Sequence, residues 1–231
     1  MDKIICKAEH FMEIRGIGKK YQNGNKIVNA ITDMNFNIDE GEFITIMGES
    51  GSGKSTLLSV LGGLNHPATG QLLIDSMDIY RLLAEQRADF RSEYIGFIFQ
   101  SFQLIPYLTV LENVELPMAV TGINKVKQRD MAMDVLNVVG LEHKVHRLPD
   151  QLSGGEQERV AIARAIVNTP PLILADEPTG NLDSGTAGEI MDLLKSLNKK
   201  GHTIVMVTHN QNMSRYSCRT IRIADGKAFI N

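Results

Sequence analysis

EFITIMGESGSGKSTLLSVL, Glu42–Leu61, sets an apolar run, a glycine-rich turn and a helical start in immediate succession. The run Glu42–Met47 suits a short buried strand, and Ser55–Leu61 suits a helix. Between them Gly48, Glu49, Ser50, Gly51, Ser52, Gly53, Lys54 and Ser55 match the pattern GxxxxGK[ST]. The strand before and the helix after are the context that this pattern needs, which argues against a merely structural turn. Glycines let backbone N–H groups turn toward phosphate oxygens, and the helix N-terminus, where Thr56 follows, adds partial positive charge. Lys54 is placed to reach β- and γ-phosphates, and Ser55 to ligate magnesium.

Outward from that stretch, Pro171–Ala175 and Thr203–Thr208 are apolar runs bounded by breakers, with a helical segment, Gly188–Leu197, between them. Strands alternating with helices predict an α/β core with a parallel sheet covered on both faces. Residues 28–45 and 71–75 carry short alternating runs that predict an antiparallel β flank. Residues 101–155, punctuated by Pro106, Pro117 and Pro149, read as an inserted α-helical subdomain. The expected organisation is therefore one domain, 1–231, with 1–100 and 156–231 forming the α/β core. Asp225-Gly226, between two alternating runs, predicts a terminal hairpin.

Composition mostly excludes. With 231 residues, 43% hydrophobic and 22% charged, the chain has room for one large globular domain. A net charge of -3 gives no electrostatic argument for nucleic acid, so none is expected as a partner. The two cysteines, Cys6 and Cys218, form no CxxC pair, so neither a zinc site nor a disulfide framework is expected and a reducing compartment is the simple reading. The N-terminus, MDKIICKAEHF, has no apolar core of leader length, and no apolar run approaches the roughly 18 residues of a membrane span.

The remaining chemistry lies at strand ends. LILADE, Leu172–Glu177, closes an apolar strand with two carboxylates that alternation points in different directions. Asp176 is placed to hold a magnesium shell through water, and Glu177 to polarise an attacking water, as general base or water-orienting group. His209 closes the strand TIVMVTH, where α/β sheets place their ligands, and can bond a γ-phosphate. Gln100 closes IGFIFQ, where its amide oxygen can join the magnesium shell. LSGGEQER, Leu152–Arg159, is a second anion cradle: Ser153, Gly154 and Gly155 sit at the start of a predicted helix, Glu156–Val167.

In this order the residues resemble the ATP-binding subunits of ABC transporters, over nearly the whole chain. GESGSGKS looks like Walker A, Gln100 the Q-loop, LSGGEQER the signature motif, LILADE Walker B, Asn181–Asp183 the D-loop and His209 the switch histidine. The resemblance implies the ABC ATPase fold, a P-loop NTPase (RecA-like) α/β core with an antiparallel β flank and an inserted α-helical subdomain. It also implies an ATPase using ATP and Mg2+, and a head-to-tail homodimer. Each nucleotide would lie between GESGSGKS of one subunit and Ser153, Gly154, Gly155 and Glu156 of the other, with Asp183 nearby and adenine stacked on Tyr21.

IMGESGSGKSTLLSVLGGL, FIFQSFQLIPYLTVLENVELP and ADEPTGNLDS are similar to the macrolide-exporter and lipoprotein-releasing group (MacB/LolD type), with the cell-division FtsE type a close relative. That likeness implies a subunit on the cytoplasmic face of a bacterial inner membrane. It would power a permease that extracts or exports lipoprotein, lipid, peptide or drug; an FtsE-like role would regulate an extracytoplasmic partner without cargo. Ser101–Pro106 (SFQLIP) is expected to receive a helix of that permease. Glu156 and Glu158 stand where the family usually has glutamine, and Asn210 where it has aspartate; Glu156 is expected to bond Arg159.

Overall fold

The computed structural model describes residues 10–24 and 26–230. Cys6 and most of the N-terminal stretch read above lie outside them. The strands are β1 (Met12–Asn23), β2 (Lys26–Ile38), β3 (Phe43–Met47), β4 (Thr69–Ile74), β5 (Met77–Asp78), β6 (Ile95–Ile98), β7 (Leu172–Asp176), β8 (Thr203–Thr208), β9 (Arg219–Ala224) and β10 (Lys227–Ile230). The helices are α1 (Lys54–Leu61), α2 (Ala84–Tyr94), α3 (Val110–Glu115), α4 (Lys125–Val138), α5 (Gly154–Ile166), α6 (Ser184–Lys199) and α7 (Gln211–Ser214).

Six strands form one sheet in the order β10-β9-β3-β8-β7-β6, parallel except for the β9–β10 hairpin. That hairpin turns at Asp225 and Gly226, both at positive φ. β8 lies between β3 and β7, and every one of its residues is buried, which is why TIVMVT is an unbroken apolar run rather than an alternating one. A second, antiparallel sheet has the order β2-β1-β4-β5.

The flank is shorter at one end than the alternation over 28–45 suggests. It stops at Ile38, and Phe43–Met47 belongs to the parallel sheet. A tight turn separates the two, with Glu42 N–H donating to the Asp39 carbonyl and Gly41 at φ 72°. The flank also gains β1, whose alternation is interrupted around Gly16 and Gly18 by register shifts against both neighbours.

Alternation along the parallel strands sends side chains into two cores. Phe43, Ile173, Ile204 and Met206 face α3, α4, α5 and α6. Ile44, Ile46, Leu174 and Val205 face α1 and the antiparallel flank. α5 packs on α3 and α4 and also on β6. It starts at Gly154, two residues before the predicted start, so the 155/156 boundary falls within its first turn and the helix serves both regions. Among the described residues no helix is long and apolar enough to cross a membrane.

Candidate nucleotide site

Parallel pairing brings the ends of four strands to one edge: β3 runs into Gly48, β7 ends in Asp176, β8 runs into His209, and β6 ends two residues before Gln100. Gly51 and Gly53 adopt φ of 78° and 101°, a region that glycine enters without steric cost. A Cβ on Gly53 would lie 2.3 Å from the Ala30 carbonyl oxygen, and one on Gly48 2.3 Å from that of Ile223. The loop is thus pressed onto β2 and β9, and larger residues would lift it.

The same loop presents donors. Gly53 is the N-cap of α1 and offers no side chain, so the first N–H groups of the helix have no side-chain cap. Ser52 Oγ is buried with no hydrogen-bond partner. Lys54 is 6% exposed and donates to the carbonyls of Gly48 (2.9 Å) and Glu49 (2.8 Å), holding its ammonium inside the loop. An orphaned hydroxyl, free helix amides and an enclosed ammonium fit a polyphosphate.

Opposite the loop, Ser55 Oγ donates to Asp176 Oδ1 at 3.2 Å, which brings the two candidate metal ligands together. Burial raises the Asp176 carboxyl above its usual range, against the lowering effect of the Ser55 bond, and Glu177 adds to the rise. Asp176 and Glu177 diverge for a sharper reason than strand alternation. Glu177 leaves β7 with φ 48°, while its N–H still donates to the Val207 carbonyl. A left-handed glutamate costs about 1–3 kcal/mol and persists where its surroundings fix it. Here it aims Oε2 at His209 Nδ1, 2.7 Å away. Gln100 lies at the same edge, exposed in a turn, and among the described residues no contact joins its amide to Asp176 or Ser55. Tyr21 is 41% exposed on β1, with the Lys19 ammonium 5.4 Å from its ring centroid.

Ser153 is the N-cap of α5. Its hydroxyl accepts from Glu156 N–H (3.4 Å), and Glu156 Oε2 accepts from Ser153 N–H (2.9 Å). This reciprocal cap bends Glu156 back across the helix start, where its other oxygen pairs with Lys144. Lys144 and the Ser153 amide hold its carboxyl below the usual range. The expected Glu156–Arg159 bond is therefore not formed: Arg159 reaches Glu189 at 2.8 Å instead. With its charge spent on Lys144, Glu156 should tolerate neutralisation. In Glu156→Gln, ATP-dependent self-association should stay within about threefold of wild type by light scattering, because exposed pairs contribute little. A large tightening would show direct repulsion of a phosphate.

The two signature glycines differ. A Cβ on Gly155 would sit 2.4 Å from Thr186 Cγ2, so packing against α6 explains that glycine. A Cβ on Gly154 would meet only Leu182 at 3.4 Å and Phe102 at 3.8 Å, ordinary contacts. Gly154 is the first residue of the helix and its surroundings would admit alanine, so it needs a reason outside this packing. Asp183 caps α6, accepting from the Gly185 and Thr186 amides and the Thr186 hydroxyl. Of SFQLIP, Phe102 is half-buried and Leu104 packs on the core, while the fully exposed apolar side chain is the next residue, Tyr107.

Sequence reasoning passes over Arg164, which donates to the carbonyls of Phe102 and Gln103, and names Asn181 only within the D-loop, without its amide bond to Ser101 Oγ. Both act through backbone or loop contacts visible only in three dimensions.

A donor-lined cradle facing a carboxylate that is oriented by a histidine defines a P-loop nucleoside triphosphatase. Residues 31–180 match the family model described as ABC transporter. The chain is 47% identical over 216 residues to an ABC transporter ATP-binding protein of Thermotoga maritima, covering 94% of this chain and 92% of that one. It is 43% identical to the macrolide export ATP-binding/permease protein MacB of Sodalis glossinidius, over 94% of this chain but 33% of MacB. It superposes with a TM-score of 0.87 on the ATP-binding cassette MJ0796 of Methanocaldococcus jannaschii, in a dimeric post-hydrolysis state bound to ADP and Pi. That match has 45% identity and covers 94% of this chain and 96% of the other. The chain belongs to the ABC transporter family, as its ATP-binding, ATP-hydrolysing component.

Proposed function

We propose that this chain works as a head-to-tail homodimer on the cytoplasmic face of a membrane, where Mg2+-dependent ATP turnover drives a permease of the macrolide-export and lipoprotein-release type. Gly154 carries the reading: a glycine at an exposed helix start, without a packing reason in its own subunit, leaves room for a phosphate brought by another. The dimeric state of MJ0796 supports a dimer of this chain. MacB is an ATP-binding/permease protein of which this chain matches a third, which supports a permease partner. Gln100 at the head of the 101–155 helical subdomain is the proposed link from nucleotide to permease.

Within each site, Lys54 and the amides of Gly48–Thr56 hold the triphosphate. Ser55 and Asp176, two hard oxygen donors in contact, would hold Mg2+ together with phosphate oxygens and Gln100; the ion neutralises phosphate charge when bound. Among the described residues no group of three or more His, Cys, Asp or Glu could hold a metal, which suits a cation that arrives with its nucleotide. Glu177 takes the proton of the attacking water, His209 holds Glu177 and faces the γ-phosphate, and Tyr21 stacks adenine. Ser153, Gly154, Gly155 and Asp183 complete the neighbour's site.

Gly154→Asp tests the reading by placing a carboxylate where the neighbour's γ-phosphate would lie. Turnover should fall by about 100-fold or more, as when a preorganised anion donor is lost. Nucleotide binding to the monomer, measured with a fluorescent ATP analogue, should change by less than about threefold. Lost monomer binding would place this helix start in the same subunit's site and remove the dimer argument.

A further inference from the structure

Glu158 is 2% exposed, on the face of α5 that Gly154 turns toward Phe102 and Leu182. Its Oε1 is buried with no hydrogen-bond partner. Six residues on, Arg164 donates through two nitrogens to the carbonyls of Gln103 (2.7 Å) and Phe102 (2.8 Å). Those carbonyls belong to a tight turn after Gln100 in which Ser101, Phe102 and Gln103 all have positive φ, 61°, 63° and 47°. Three consecutive non-glycine residues in that region store strain, so something must hold them. Downstream the segment is anchored by buried Asn113, which accepts from Ile105 N–H (2.8 Å) and donates to the Leu108 carbonyl (2.9 Å). Within the turn, Phe102 N–H donates to the Phe99 carbonyl (3.2 Å) and Gln103 N–H to the Ser101 carbonyl (2.6 Å); from outside it, the Arg164 guanidinium is the grip, with a weaker bond from Asn181 to Ser101.

We infer that Glu158 is a positioning residue for the Gln100 turn: as a neutral acid it leaves the Arg164 guanidinium to the Phe102 and Gln103 carbonyls, and as a carboxylate it competes for that guanidinium and loosens the turn. Burial pushes the Glu158 carboxyl up to about 8, with Arg164 the one charge that pulls it back down. Burial likewise lowers Arg164, and Glu158 raises it. Of the ionisable groups on α3, α4, α6 and the loop that follows Glu177, none exerts a comparable pull on Glu158. Lys144 is committed to Glu156, Arg159 to Glu189, and Asp183 to the α6 cap. The acid is therefore neutral at neutral pH and ionises within reach of ordinary assay conditions. A glutamine would fill the same space with no such titration.

The inference rests on the proposed coupling role of Gln100, and the experiment separates the two. ATPase rates of the full chain are measured from pH 6 to 9.5 for wild type, Glu158→Gln and Arg164→Lys. Wild-type turnover at pH 7 checks the ATPase itself. Wild-type kcat should fall along an alkaline limb centred near 8. Glu158→Gln should keep neutral-pH turnover within about twofold and lose that limb. Arg164→Lys, which cannot fork onto two carbonyls, should be slow at every pH and show little further alkaline loss. Hydrogen exchange of the Gln100–Ile105 amides, corrected for intrinsic rate, gives a readout independent of turnover: protection should drop above pH 8 in wild type and stay constant in Glu158→Gln. If the Glu158→Gln profile superimposes on wild type, or if protection of that segment is the same in both at every pH, Glu158 does not position the turn.

Discussion

Glu177→Gln should bind ATP as wild type does, hydrolyse it at least about 100-fold more slowly, and accumulate as an ATP-loaded dimer. Binding should be preserved because the loop 48–55, Lys54 included, is the proposed grip on the triphosphate, and among the described residues no hydrogen bond or ion pair joins it to the Glu177 side chain. Geometry is preserved because glutamine has the same length and the left-handed φ at 177 is fixed by the backbone bond to Val207. What is lost is the capacity to take a proton from water. The contact with His209 survives in weakened form, an amide oxygen replacing a carboxylate at 2.7 Å. If hydrolysis is what loosens the interface, a subunit that binds but does not hydrolyse shifts the population to the dimer. Size-exclusion chromatography with ATP, together with a phosphate-release assay, reads both effects. Normal hydrolysis would remove Glu177 from the base position. Slow hydrolysis without dimer would leave the base assignment standing and break the link between nucleotide and association.

The features legible in the sequence are contiguous ones. GESGSGKS specifies its own turn, because glycine spacing and the strand–helix context are local, and the structure shows the positive φ at Gly51 and Gly53 that those glycines permit. LILADE and TIVMVTH are legible because a central parallel strand is apolar along its whole length and changes character abruptly at its end. Long-range choices are not. Glu156 has two basic residues within reach, Arg159 on its own helix and Lys144 at the end of the 3-10 turn Glu142–Lys144. Helical spacing favours the first, while the reciprocal cap with Ser153 rotates the side chain toward the second. The strand over 12–23 is hidden as the centre of the flank because glycines and register shifts interrupt its period of two. Glu158 differs again: charged residues are almost never fully buried unless paired, so nothing in the sequence marks it as buried, and the structure buries it.

That burial has a thermodynamic consequence separate from any role in turnover. Between its ordinary value of 4.5 and about 8, the folded chain keeps a proton on Glu158 that the unfolded chain has released. The folded state then binds more protons, so stability falls as pH rises through that window and levels off above it. Below 4.5 the carboxyl is neutral in both states and the handicap vanishes. Glutamine removes the ionisation without removing the volume. Glu158→Gln should therefore match wild type near pH 4.5 and gain steadily as pH rises. Each pH unit across that window is worth about 1.4 kcal/mol, less the cost of desolvating the amide, so the gain above pH 8 should reach about 2–4 kcal/mol. For a chain of this length each kcal/mol moves Tm by about 2–4 °C, so melting curves at pH 5 and pH 8.5 resolve the difference. A gain of the same size at both pH values would mean that glutamine merely packs or hydrogen-bonds better. No gain at either would mean that solvent reaches the Glu158 carboxyl well enough for it to ionise at no cost.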